Sequence, residues 1–186
     1  IKDRISKLDK HRTVTQKKRS NIFKVNLVGY SNAGKSTLFE YLTKRKTYHD
    51  DRLFATLDPL SSKISNGSKK FILTDTVGFI EYLPDVLLDA FISTLREIEL
   101  AQCIVHVVDS SNVRWSDHVL TVNETLKKLR IGSFNSIMVF NKCDCLTSDE
   151  ISNIKTHYPD AFMISAETGE QVDILFDYIL SQIEDN

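Results

Sequence analysis

Cysteine is scarce in this chain of 186 residues: Cys103, Cys143 and Cys145 are the whole complement. Three thiols cannot build a disulfide framework, and the Cys143/Cys145 pair lacks the second pair that a zinc site wants, so reduced thiols in a cytosol-like compartment are expected. Long apolar runs are missing too. No stretch approaches the roughly 20 residues that would cross a bilayer, which excludes an integral membrane helix. The chain starts at Ile1 and leaves the question of N-terminal targeting open. Glycine is used six times only, and none is filler: Gly29, Gly34 and Gly78 fall in loops beyond apolar runs, while Gly67, Gly132 and Gly169 fall at turns or helix boundaries.

The net charge is −1, but residues 1–19 carry eight Lys or Arg against Asp3 and Asp9, a local +6 that leaves −7 for the remainder. Residues 1–20 therefore read as a basic arm, and residues 21–186 as one domain, long enough to bury roughly two thirds of its unfolded surface. Ile1, Ile5 and Leu8 recur at helical spacing, so the arm is expected to be an amphipathic helix followed by a QKKR linker. Two readings stand for it: a solvated helix joining a domain upstream, or a contact to nucleic acid.

Apolar periodicity predicts a strand at Phe23–Val28 and a helix over residues 36–44. Residues 60–65 and Lys69–Asp75 flank Asn66 and Gly67, a hairpin signal that makes these two strands antiparallel neighbours. After Pro84, Leu87, Leu88, Phe91, Leu95 and Ile98 keep helical spacing to about Leu100. Residues 103–108 form a strand ending at Asp109; a helix over 117–129 stops near Gly132; 136–140 is a strand. A helix at Ser148–His157 stops before Pro159, residues 161–164 are the last strand, and 171–183 the closing helix. Such alternation implies an α/β fold: a mostly parallel six-stranded sheet with one antiparallel edge strand and helices on both faces. Ligands in these sheets bind beyond the carboxyl ends of the strands.

The chemistry-bearing residues fall there. Gly29 to Ser36 reads GYSNAGKS, a phosphate cradle of small residues in which Lys35 can reach the β and γ phosphates and Ser36 can ligate Mg²⁺. Asp75 to Gly78 reads DTVG, where a carboxylate can hold Mg²⁺ through water and a glycine N–H can approach a γ phosphate. Asn141 to Asp144 reads NKCD. Its carboxylate can accept from guanine N1–H and the exocyclic amine, a pair adenine does not offer, so the nucleotide is expected to be GTP. Ser165, Ala166 and Glu167 supply a tight turn whose backbone N–H could reach guanine O6. Alone, an acid capping a strand is an ordinary structural device; it is the unpermuted order of the four elements, as in the Ras-like P-loop fold, that points to a GTPase. A threonine must also close over Mg²⁺ and the γ phosphate, and Thr43, Thr47 and Thr56 all qualify by position.

Beyond those motifs the chain contains GYSNAGKSTLFEYLT from Gly29, LFATLDP from Leu53, DTVGFIEYLPDVLLDAF from Asp75, then TLREIELA and HVVDSS. In these segments, over roughly residues 10–183, it resembles the HflX-type GTPases, ribosome-associated members of the translation-factor-related P-loop class. The resemblance implies that Thr56 is the switch I threonine and that switch II runs from Asp75 into the next helix. It implies nucleotide contacts from Gly29, Tyr30, Ser31, Asn32, Ala33, Gly34, Lys35, Ser36 and Thr37, from Phe54, Ala55 and Thr56, from Asp75 and Gly78, and from Asn141, Lys142, Asp144, Ser165, Ala166 and Glu167. Lys35, Thr56 and Gly78 are the implied catalytic set, with Mg²⁺ held by Ser36, Thr56 and, through water, Asp75. The ribosome, chiefly its large subunit, is the implied partner, with ribosomal RNA a further one for the basic arm, and the protein is expected to be a cytoplasmic monomer. Two features depart from the family: its glycine-rich N-terminal domain is not in this chain, and the base-binding SAK of many GTPases is SAE, which puts Glu167 in doubt.

Phe79 follows Gly78 where Ras-like enzymes place the glutamine that orients water, and no phenyl group can do that work. Slow hydrolysis until a partner completes the site is the expectation, against a binding module in which turnover is incidental. Asn32 is open to two roles: some related GTPases use this asparagine to hold K⁺ beside the phosphates, in place of an arginine finger, and the alternative is a hydrogen bond that shapes the loop. His106, inside an apolar strand, reads as a packed core histidine. His49, His118 and His157 read as surface or helix positions, and Trp115 as a packing residue or a partner contact.

Overall fold

The computed structural model describes residues 22–44, 60–76, 78, 98–128 and 135–183. The basic arm, His49, Thr47, the segment with Phe54, Ala55 and Thr56, Phe79, most of the helix expected after Pro84, and Gly132 lie outside them.

Six strands form one sheet. β1 (Phe23–Val28), β3 (Lys69–Asp75), β4 (Cys103–Asp109), β5 (Asn135–Asn141) and β6 (Phe162–Met163) run parallel, and β2 (Leu60–Asn66) pairs antiparallel with β3. The order is β2-β3-β1-β4-β5-β6. Around the sheet lie helices α1 (Lys35–Thr43), α2 (Trp115–Lys128), α3 (Ser148–His157) and α4 (Val172–Ser181). Burial explains the sequence patterns. All of β4 except Asp109 is buried, which its unbroken CIVHVV run requires, whereas edge strand β2 alternates, burying Ser62 and Ile64 while its other side chains face water. The chain leaves β1 toward β3 on one side and returns to β4 on the other. The loop after β1 therefore sits at the switch point, where a crevice must open.

The hairpin differs by one residue from the expectation. Asn66 still belongs to β2, paired with Lys69, and the two-residue turn is Gly67–Ser68, because Gly67 takes the left-handed conformation (φ 57°) that a β-carbon disfavours. α2 starts two residues earlier than its periodicity suggests, at Trp115, whose ring meets Phe140 edge-on at 5.2 Å and Tyr158 at 6.1 Å, so this tryptophan packs. β6 shrinks to two residues. α3 begins with a reciprocal cap: Glu150 N–H donates to Thr147 Oγ1 (3.4 Å) and Thr147 N–H to Glu150 Oε2 (2.8 Å), which fixes how the chain leaves the NKCD segment.

His106 is 2% exposed in the middle of β4, and burial, with the Lys35 charge second, lowers its pKa to about 4. The unfolded chain binds a proton on this imidazole near pH 6.5 and the folded chain does not until about pH 4. Its contribution is thus complete above about pH 6.5 and is lost as the pH falls toward 4, about 3 kcal/mol over that window. Urea midpoints measured from pH 7 to 4 should fall accordingly, and His106→Gln should flatten that slope; an unchanged slope would refute it.

Candidate functional site

The phosphate loop is bent by positions where side chains cannot fit. A β-carbon on Gly29 would overlap the Val107 carbonyl of β4, so β1 can deliver the loop only through glycine. Gly34 adopts φ 86°, and a β-carbon there would strike the Asn141 amide. Asn32 between them is also left-handed (φ 63°), and its side chain is exposed. α1 starts at Lys35, one residue earlier than expected, because Gly34 already turns the chain into the helix.

Lys35 is 6% exposed, and its Nζ donates to Tyr30 O at 3.0 Å. Burial lowers its pKa while the Asp75 charge pulls it back up, which makes it a cation in want of an anion. Ser36 Oγ donates to Asp75 Oδ2 at 2.6 Å, and Asp75 is wholly buried. A hydroxyl and a carboxylate touching at the start of a helix are hard oxygen donors of the type Mg²⁺ takes, and they fit an ion whose remaining ligands are phosphate and water. No group of three or more His, Cys, Asp or Glu able to cage a metal exists among the described residues. Thr76 Oγ1 donates to Leu27 O at 2.6 Å, tying the turn after β3 to β1. Gly78 then passes so close that a β-carbon would lie 2.7 Å from Ser31 Cα and 3.1 Å from Lys35 Nζ. Thr43 donates to Phe39 O within α1, so that side chain serves its own helix.

The other end of the crevice is a cavity of about 220 Å³ lined by Gly34, Thr37, Asn141, Lys142, Asp144, Cys145, Ser165, Ala166 and Glu167. Asn141 is 2% exposed and joins the two ends: its Nδ2 donates to Ala33 O at 3.0 Å, and its Oδ1 accepts from Ala166 N–H at 2.8 Å. The Ala166 amide is thus directed to Asn141, and Glu167 lines the same cavity. Asp144 is exposed at the rim, where a hydrogen bond with Ser165 holds its carboxyl below the usual range and keeps it an acceptor at neutral pH. Cys143 and Cys103 are buried free thiols, with burial pushing Cys103 up to about 11; Cys145 is free and exposed.

Three residues outside the motifs also make contacts at this site. Asp109 and Ser110, at the end of β4, contact Lys142 and Asn141. His118, read as a surface or helix position, lies in α2 and is 8% exposed, with its ring stacked flat on Tyr30 of the phosphate loop, centroids 3.8 Å apart. The HVVDSS segment held the signal for the first two; nothing local marks His118.

Residues 24–142 match the family described as 50S ribosome-binding GTPase. Over nearly its full length the chain is also similar to curated GTPase HflX proteins, 39% identical over 94% of this chain to that of Magnetococcus marinus and 36% over 98% to that of Escherichia coli. The chain belongs to the HflX-type GTPases. It spans 41% and 44% of the lengths of those two HflX relatives. Among solved structures, a GTP-binding protein from Sulfolobus solfataricus in complex with GDP is 25% identical with a TM-score of 0.65, aligned over 97% of this chain and 58% of that one. The HflX-type sequence and the Ras-like sheet order thus agree.

Proposed function

We propose that this chain is the nucleotide-binding domain of a GTPase, binding GTP with Mg²⁺ and hydrolysing it to GDP and phosphate, slowly alone and faster on the ribosome. The observation that carries the reading is Asn141, whose one side chain ties the phosphate loop to the turn beside the base-sized cavity, so that a cradle for phosphates and a guanine reader form one site. In the proposed reaction Lys35 and the loop amides take up charge developing on the γ phosphate. Ser36 and Thr56 would hold Mg²⁺, with Asp75 reaching it through water, and the ion would neutralise phosphate charge; Asp144 selects guanine. Loss of γ-phosphate contacts at Thr56 and Gly78 is the conformational signal.

Phe79, which follows Gly78 where Ras-like enzymes place a water-orienting glutamine, has no hydrogen-bonding side chain. The intrinsic single-turnover rate should therefore be about 10⁻⁴ to 10⁻² per second, and a partner supplying the missing group should raise it by roughly 10³-fold. Adding large ribosomal subunits to the GTP-loaded protein tests this. Nucleotide-dependent binding without faster hydrolysis would instead mean that GTP binding alone carries the signal; a fast unassisted rate would overturn the proposal.

Asn32, exposed and left-handed at the mouth of the loop, is proposed to hold K⁺ against the phosphates. Hydrolysis should then be faster in KCl than in NaCl, and equal rates would dismiss the ion. The 1–20 arm is proposed as a linker that adds an RNA contact, and the protein as a cytoplasmic monomer. No helix among the described residues is long and apolar enough to cross a membrane.

A further inference from the structure

Lys142 stands between the two residues that address the base, Asn141 and Asp144, and it does so in a left-handed conformation, φ 66° and ψ 34°, that opens the short 3₁₀ turn Cys143–Cys145. Lysine does not choose this conformation unaided. Cys143 N–H donates to Ile164 O (3.0 Å) and Cys145 N–H to Lys142 O (3.1 Å) within the turn, while the Lys142 side chain is held from the neighbouring strand. Asp109 is in register with Asn141, and its Oδ2 accepts from Lys142 Nζ at 2.7 Å. Its Oδ1 accepts from both Ser111 N–H (3.0 Å) and Ser111 Oγ (2.6 Å), which fixes the carboxylate plane. Next to it Ser110, 4% exposed, donates from N–H (3.0 Å) and Oγ (2.6 Å) to Asn141 O. The end of β4 thus grips the backbone of Asn141 and the side chain of Lys142, two residues that line the cavity, from behind its lining.

From this juxtaposition we infer that Asp109 is a positioning residue for base recognition: by anchoring the Lys142 ammonium it sets the turn that presents Asp144 to the purine. The pair is only partly exposed, 30% for the Lys142 side chain and 13% for Asp109, so water does not dissolve the contact. Asp109 therefore acts on the fit of the base and not on the phosphates, whose cradle is built from β1, α1 and β3.

The inference rests on the guanine-nucleotide reading, and one titration separates the two. GDP and IDP, which lacks the 2-amino group that a well-placed Asp144 reads, are bound to the wild-type protein, to Asp109→Asn, to Lys142→Gly and to the double variant, with thermal melts confirming folding. The wild type should prefer GDP, and failure to bind GDP at all would sink the guanine reading itself. Asp109→Asn should weaken GDP about tenfold and IDP much less, so that the preference shrinks. In the Lys142→Gly background, where glycine takes the left-handed turn freely, Asp109→Asn should cost little further. Equal weakening of GDP and IDP, no weakening of either, or additive costs in the double variant would overturn the inference while leaving guanine binding intact. Should Asp109→Asn fail to fold, Asp109→Glu, which keeps the charge but moves it, should shrink the same preference, and an unchanged preference there would refute it.

Discussion

Asp144→Asn should turn the chain's preference from guanine to xanthine nucleotides, with GDP affinity falling by roughly 10³-fold. The side chain stands at the rim of the cavity, its carboxyl kept ionised by the Ser165 hydrogen bond. Both carboxylate oxygens can then accept, one from N1–H and one from the 2-amino group. An amide replaces one acceptor by a donor, which faces the amino group of guanine donor against donor and leaves both without partners. Xanthine carries a carbonyl at that position and restores the pair. Competition of GDP and XDP against a fluorescent nucleotide measures the exchange. If the variant still prefers GDP, Asp144 does not read the base, and the cavity beside Ser165 is not the base site.

Lys35→Met should lower the single-turnover hydrolysis rate by about 10³-fold or more, because the ammonium is buried against the phosphate loop, on Tyr30 O. Methionine keeps the apolar stem, so packing under the loop is retained. The fold should tolerate the change well. Burial already lowers the Lys35 pKa, so the charge is carried at a cost that Asp75 and the Tyr30 carbonyl offset in part. The thermal midpoint without nucleotide should therefore stay within a few degrees of wild type, while the rise in midpoint that GTP confers on the wild type should largely disappear. A variant that hydrolyses GTP normally would remove Lys35 from the mechanism. One that unfolds would mean the residue is chiefly structural.

What the sequence made legible follows from how local each signal is. GYSNAGKS, DTVG and NKCD are contiguous, and each needs only a strand before it, so their positions could be deduced from apolar runs such as CIVHVV and the NSIMVF stretch of β5. The hairpin slipped by one residue because Asn66 and Gly67 are both good turn formers, and only the cross-strand partner Lys69 decides between them. His118, read as a surface or helix position, lies in α2, but its stacking partner was not legible. Helical spacing puts it near Val119 and Val122, but no periodicity reveals a tyrosine 88 positions earlier lying flat against its ring. The gripping of NKCD by Asp109 and Ser110 is likewise a contact between strand ends, invisible until the sheet order sets β4 beside β5.

The bridge made by Asn141 has a kinetic consequence. Because its amide already binds Ala33 on one side and Ala166 on the other, the two loops that a nucleotide would touch are assembled as part of folding. Little chain ordering is then left for the moment of encounter. Nucleotides should enter with similar association rates whatever the length of their phosphate tail, and differences in affinity between GTP and GDP should appear almost wholly as differences in residence time.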